Sequence, residues 1–322
     1  MDLTSYEPPV SALLTYGNCL EVDKKVSDPE RDRIVEQILA DGAENIDRSL
    51  FSKLRPIHKF ESWPDYIEDL GITSEYIPAL IRMATDDDLN EADGESLEVW
   101  GPVHAWRCLG LLKAEEAVEP LLEGLFVGEE YGDWVREEIP WVIGMIGESA
   151  IKPVSLFLAN RKHDMWDRIA AVVAFEHMAL LHPELKETCI KRLASQLADF
   201  RYNSEELNAF LVSTLVELEA VSKADLIERV YASEAIDETV CGTWPSVQVD
   251  LGLAKEEDFD PSELKPEFEW VPRQQVSRSI ESRSKGTAAE LALPTKSLKK
   301  KTSQASGFGK GATKSPKKKK KR

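Results

Sequence analysis

The feature that most restricts the fold is an internal recurrence. Helix-forming segments come in pairs, and the second member of each pair opens in a similar way: Ala117-Val118-Glu119-Pro120, Ala150-Ile151-Lys152-Pro153, Pro183-Glu184-Leu185 and Ser222-Lys223-Ala224. Pro120 and Pro153 are 33 residues apart, and later copies follow at intervals of roughly 30 to 40. Self-similarity at that period marks a stack of helical hairpins, because one hairpin cannot bury its own apolar face and neighbours must share a core. The stretch EEIPWVIGMIGESAIKPV, from Glu137 to Val154, predicts how one hairpin turns. Gly147 is expected to take the left-handed conformation and end the first helix. Ser149 is expected to cap the second. Pro153 falls in the first turn, where an amide has little helical partnership to lose. Gly144 is expected to mark a close approach of two helices.

The pairs read as 98–112 with 115–127, 134–146 with 150–159, 167–181 with 183–197, and 205–218 with 223–232. Valine and isoleucine fall in 3.6-residue patterns rather than strict alternation, so strands are not expected. Upstream, Asp28-Pro29 starts a helix that ends near Gly42, and Ser62-Trp63-Pro64 starts another that stops near Gly71. A third, capped by Thr73 or Ser74, runs to Asp86-Asp87-Asp88, and its Tyr76-Ile77-Pro78-Ala79-Leu80 looks like a degenerate early copy of the recurring motif.

The stretches LGLLKAEEAVEPLLEGL and IGMIGESAIKPVSLFL resemble the HEAT-like repeats also seen in phycobilin-lyase-type proteins. The wider stretch from Val103 to Pro153 resembles a bacterial family of such proteins whose function is unassigned. The resemblance spans roughly residues 75–250. It implies an all-α fold, a right-handed α-α superhelix or HEAT-like solenoid, and carries over no catalytic residue. The expected organisation is an irregular helical region over 1–72, helical repeats over 73–253, an acidic extended segment over 254–272, and a disordered Lys-rich tail over 273–322.

Charge divides the chain. The net charge is −18, yet the residues from Arg273 to Arg322 carry 16 Lys/Arg against Glu281 and Glu290, a net of +14. The residues before Arg273 carry 24 Lys/Arg against 56 Asp/Glu, a net of −32. An acidic body repels phosphate backbones over its general surface and draws cations. The tail draws phosphates or the body itself, and either contact weakens with salt. The four cysteines, Cys19, Cys108, Cys189 and Cys241, form no CxxC pair, which argues against a thiolate zinc site, and Cys108 and Cys189 read as small core residues. MDLTSYEPPV has no basic stretch followed by an apolar one, and no apolar run approaches the ~18 residues that span a bilayer. Membrane insertion is therefore not expected, and a reducing, cytoplasmic setting is.

Three groups of residues compete as sites. The histidines are His58, His104, His163, His177 and His182; only the last two are close, and a spacing of five misses the i, i+4 face of a helical metal site. They read as solvated or capping. No HExxH, GxSxG, Walker-type loop or GxGxxG is present, so no catalytic residue, metal or cofactor is expected. The second group is aromatic and acidic: Trp100 and His104 on one helix face, and Asp133, Trp134, Glu137, Glu138 and Trp141 in the next repeat. Stacked repeats would set these stripes side by side, either as a groove for a cationic peptide, a metal or a tetrapyrrole, or as tryptophans filling gaps between repeats while the acids face water. The third group is Lys299, Lys300 and Lys301 with Lys317, Lys318, Lys319, Lys320, Lys321 and Arg322. Polylysine offers point charges rather than forks, so it suits non-specific contact with RNA or self-docking on the acidic body. The expected function is a non-enzymatic binding scaffold for a basic protein or peptide. RNA or ribosome association through the tail, and chromophore handling by analogy with the lyase-type repeat, are the alternatives.

Overall fold

The computed structural model describes residues 6–41, 58–125 and 132–264. All regular structure among them is helical: α1 (Cys19–Val22), α2 (Pro29–Asp41), α3 (Tyr66–Leu70), α4 (Ile77–Ala84), α5 (Asp87–Asn90), α6 (Gly101–Leu111), α7 (Val118–Leu125), α8 (Gly132–Ile146), α9 (Ile151–Ala159), α10 (Met165–Leu181), α11 (Lys186–Leu197), α12 (Glu205–Glu217), α13 (Ala224–Tyr231), α14 (Glu238–Cys241) and α15 (Trp244–Asp250). No helix among the described residues is long and apolar enough to cross a membrane.

The helices pack in chain order. α4 lies on α6, α6 on α8, α8 on α10 and α10 on α12, while α7, α9 and α11 follow one another beside that row. α10 shows why. It carries Ile169, Ala170, Ala171, Val172, Ala174, Phe175, Met178 and Ala179 buried around most of its circumference, as a helix with neighbours on several sides requires, and it touches α8, α9, α11 and α12. The buried apolar side chains form one connected cluster from Tyr6 to Leu251. Cys19, Cys108 and Cys189 lie wholly inside it as free thiols.

The second helix of each pair is entered through a 3₁₀ turn: Glu115–Ala117 before α7, Glu148–Ala150 before α9, Pro183–Leu185 before α11 and Val221–Lys223 before α13. Ser74–Tyr76 leads into α4 in the same way. This shifts the expected capping. Gly147 has φ +85° as anticipated, but ψ −132° takes it away from the left-handed helical region, and it occupies the N-cap position itself. A side chain there would meet the His182 ring at 2.9 Å. Ser149 does not cap α9; it lies inside the 3₁₀ turn with its hydroxyl buried and unpartnered.

Among the described residues, two corners close as Schellman motifs on a residue other than glycine. After α6, Lys113 (φ +51°) donates its amide to Gly110 O and Ala114 donates to Leu109 O, both at 3.0 Å. After α12, Glu219 (φ +54°) donates to Val216 O and Ala220 to Leu215 O. Both are Schellman motifs, in which two main-chain bonds hold a left-handed residue that glycine would adopt at less cost.

The row is tightest at glycines. A methyl on Gly144 would lie 2.8 Å from His177 Cβ and within 3.2 Å of α10 backbone. A methyl on Gly110 of α6 would lie 3.3 Å from Val142 Cα of α8.

Upstream, Asp28 caps α2 by accepting from the Arg31 amide, and Gly71 ends α3 in the left-handed conformation. The helix expected to run to Asp88 breaks at Asp86, whose carboxylate accepts from Leu89 N and starts α5. The described residues all belong to one compact unit. The segment expected to be extended from residue 254 turns at Glu256–Asp258, and Thr243 Oγ1 donates to Glu263 O at 2.7 Å; residues 265–322, including the expected tail, lie outside the described residues.

Candidate functional site

A dense polar group is centred on Arg107 of α6, which is fully buried. Its Nε donates to Glu138 Oε2 (2.7 Å) and Nη2 to Glu138 Oε1 (2.6 Å). Nη1 and Nη2 reach Asp23 Oδ1 (2.6 Å) and Oδ2 (3.1 Å), and Nη1 also donates to the Tyr66 hydroxyl (3.2 Å). Each of the five N–H groups of the guanidinium thus has an acceptor. Burial opposes its charge, but the bonds to Glu138 and Asp23 outweigh that and hold the guanidinium above its ordinary range. Glu138 is fully buried too, and its Oε2 also accepts from Trp106 Nε1 at 3.1 Å.

The chain of bonds continues to His104. The Tyr66 hydroxyl lies 2.7 Å from His104 Nδ1, and His104 Nε2 lies 2.8 Å from the Gly17 carbonyl. A carbonyl only accepts, so Nε2 carries the proton and Nδ1 accepts from Tyr66. Burial lowers the His104 pKa to about 4 and keeps the ring neutral. Cys19 Sγ sits 3.8 Å from Nδ1, and burial pushes its thiol up to about 12, leaving it protonated. A buried set with every donor and acceptor matched is rigid and specifies one arrangement. It ties Gly17, Cys19, Asp23 and Tyr66 of the N-terminal segment to α6 and α8.

A second cluster lies where α8 meets α10. Trp141 stacks on His177 with ring centroids 3.5 Å apart and planes 10° off parallel, and His58 and Phe60 flank the indole at 5.0 and 5.3 Å. The absence of a side chain at Gly144 is what permits this approach. His177 Nδ1 is buried without a partner, and burial followed by the nearby His58 lowers its pKa to about 3. Next to it, Glu176 is half-buried; burial raises its pKa first and the like charge of Glu217 on α12 raises it further. Its bonding partner is the Thr214 hydroxyl, which donates at 3.4 Å, and no cation pairs with either glutamate among the described residues.

The expected aromatic-acidic stripe is therefore redistributed. His104 and Glu138 are inside the protein and spent on internal partners, so neither lines a surface groove, and His104 is not the solvated or capping histidine anticipated. The reason is Arg107, which demands a buried acid. Trp141 is 9% exposed and packs between helices, Trp100 is half-buried against the core, and Glu137 is exposed beside Lys59 at 3.7 Å. Asp133 and Trp134 fall in the first turn of α8, and their side chains lie outside the described residues. Lys299, Lys300, Lys301, Lys317, Lys318, Lys319, Lys320, Lys321 and Arg322 also lie outside them. Sequence reasoning passed over Arg107, Asp23, Tyr66 and Glu176. Arg107 had a signal: it is a lone charge in GPVHAWRCLGL, a segment apolar on all sides, where an arginine must find an acid. Among the described residues no group of three or more His, Cys, Asp or Glu is placed to hold a metal ion. The chain matches no protein-family model, and no curated protein or solved structure matches it.

Proposed function

We propose that this chain is a non-enzymatic binding scaffold whose helical hairpins stack as a right-handed superhelix and whose α8–α10–α12 row receives a cationic segment of a partner protein. The observation that carries the reading is Glu176, a half-buried carboxylate beside a second carboxylate, Glu217, with a hydroxyl and no cation as partner. Two such charges held together at the rim of a packed row raise each other's free energy, and an incoming lysine or arginine relieves that. The body's net −32 steers a basic partner towards it. The packing of each helix on the next supports the superhelix, and the Arg107 network, matched within itself, supports a structural rather than a catalytic role for that buried ion cluster.

The test uses the full chain and a lysine-rich peptide as the probe. Glu176→Gln with Glu217→Gln is expected to weaken capture about tenfold and to flatten its salt dependence, with circular dichroism unchanged. Undiminished capture by the double variant would refute the reading. Charge alone also favours non-specific RNA contact by the Lys-rich segment from Lys299 onward.

A further inference from the structure

The acidic body holds one concentration of arginines that its own carboxylates do not neutralise. Arg161 and Arg201 lie in the turns joining α9 to α10 and α11 to α12, Arg168 near the start of α10 and Arg229 near the end of α13. Arg161 sits over the ring of Tyr202 at 4.5 Å, and Tyr202 is 67% exposed. Arg201 sits over Phe200, and Arg229 donates Nε to a main-chain carbonyl, Asp225 O. Arg168, only 6% exposed, donates Nε to Leu158 O and Nη2 to the Asn203 amide oxygen, both neutral acceptors. None of the four pairs with a carboxylate among the described residues, whereas Arg33, Arg107 and Arg136 each do.

A cleft of about 580 Å³ opens between the α11–α12 turn and the end of α13, lined by Asp199, Arg201, Tyr202, Arg229 and Ser233 among others. Its charged groups are two arginines and one aspartate, and Arg161, stacked over the Tyr202 ring that lines it, brings a third guanidinium next to it. That leaves a surplus of two positive charges, before Arg168 is counted. The surplus has a local cost: burial and then the charge of Arg161 lower the pKa of Arg168. In a chain with 56 acidic residues ahead of Arg273, arginines gathered around a single aspartate mark a place where negative charge is to be supplied from outside.

We propose that this cleft binds a phosphate dianion carried by a small molecule, with Arg201 and Arg229 on its oxygens, Arg161 as the rim charge, and the phenol ring of Tyr202 beside the group that bears the phosphate. Guanidinium forks match phosphate oxygens in pairs and keep their charge at any accessible pH. A dianion rather than a carboxylate balances the two-charge surplus. Tyr202 is an apolar plate at the mouth, of the kind on which a planar ring stacks. The inference is independent of the acidic row on α8, α10 and α12, which faces other ligands with the opposite charge.

The experiment is calorimetric titration of the full chain with inorganic phosphate and, separately, with adenosine monophosphate, for the wild type and for Arg201→Ala with Arg229→Ala. Both arginines are exposed, so the variant is expected to keep its helicity, and the Lys-rich segment is common to both proteins. The expected result is saturable binding that the double variant weakens by about tenfold or more, while Glu176→Gln with Glu217→Gln leaves it unchanged. Equal affinity for the two ligands assigns recognition to the phosphate alone; tighter binding of the nucleotide adds Tyr202 as a stacking surface, and Tyr202→Ala then removes the difference. The proposal is overturned if neither ligand binds at millimolar concentration, or if the arginine variant binds as the wild type does.

Discussion

A histidine with both ring nitrogens engaged cannot take a proton without losing a bond, and His104 is in that position. Its folded pKa is about 4, lowered chiefly by burial, against about 6.5 for a free histidine. A group whose pKa is depressed on folding favours the folded state above the unfolded value and loses that contribution as pH falls towards the folded one. His177, at about 3, adds to the same effect. Stability is expected to fall between pH 6.5 and 4 by about 1 kcal/mol per pH unit for each ring, read from urea midpoints at stepped pH. His104→Gln should shallow that slope; an unchanged slope would show that the ring titrates freely. The residues of this cluster were only partly readable from sequence. His104 and Glu138 stood out as polar groups near tryptophans, but their direction did not, because Tyr66 and Asp23 lie 41 and 84 residues from Arg107 along the chain and meet it only in the fold. A helical stripe tells which side chains share a face and leaves open whether that face meets water or another segment.

Among helices, the pairing was readable because it rests on apolar periodicity. The segment expected over 167–181 is α10, Met165–Leu181, and that over 205–218 is α12, Glu205–Glu217. Starts of the second helices were read early, at 115 and 183 where α7 begins at Val118 and α11 at Lys186, since a 3₁₀ turn precedes each and carries the same residue types. Gly144 was expected to mark a close contact, and the distances to His177 and Met178 show one. Gly144→Ala adds a methyl against backbone. Overpacking of that kind costs about 1–3 kcal/mol, while better helix propensity returns at most ~1 kcal/mol. The variant should melt at a lower temperature, with Trp141 emission altered as its stack on His177 opens. A higher melting temperature would mean that α8 and α10 separate without cost.

The N-terminal region was expected to be an irregular helical stretch, and in the fold its segments pack onto the repeats. The Val10–Thr15 turn and α3 both pack on α6, and the Lys59–Ser62 turn packs on α8. Arg107 and Glu138 hold it there. Glu138→Gln removes the buried charge that holds Nε and Nη2 and unbalances the guanidinium. Breaking one side of a buried pair typically costs 3–5 kcal/mol, so the variant is expected to lose about that much in urea unfolding, and amide exchange should accelerate over residues 10–23 before it does in α10 to α12. Loss spread evenly over the chain would argue that the ion cluster is not the clasp. Composition could not disclose this, because a clasp between distant segments has no period.

The two Schellman corners have a quieter consequence. Main-chain bonds close them, so the side chain at the tip has no steric duty, and Lys113 and Glu219 fill equivalent tips with opposite signs. Each corner is a place where mutational drift can invert the electric potential of an edge while the backbone keeps its path. A lineage of such chains could acquire new docking preferences by rewriting these tips, leaving the helices behind them untouched.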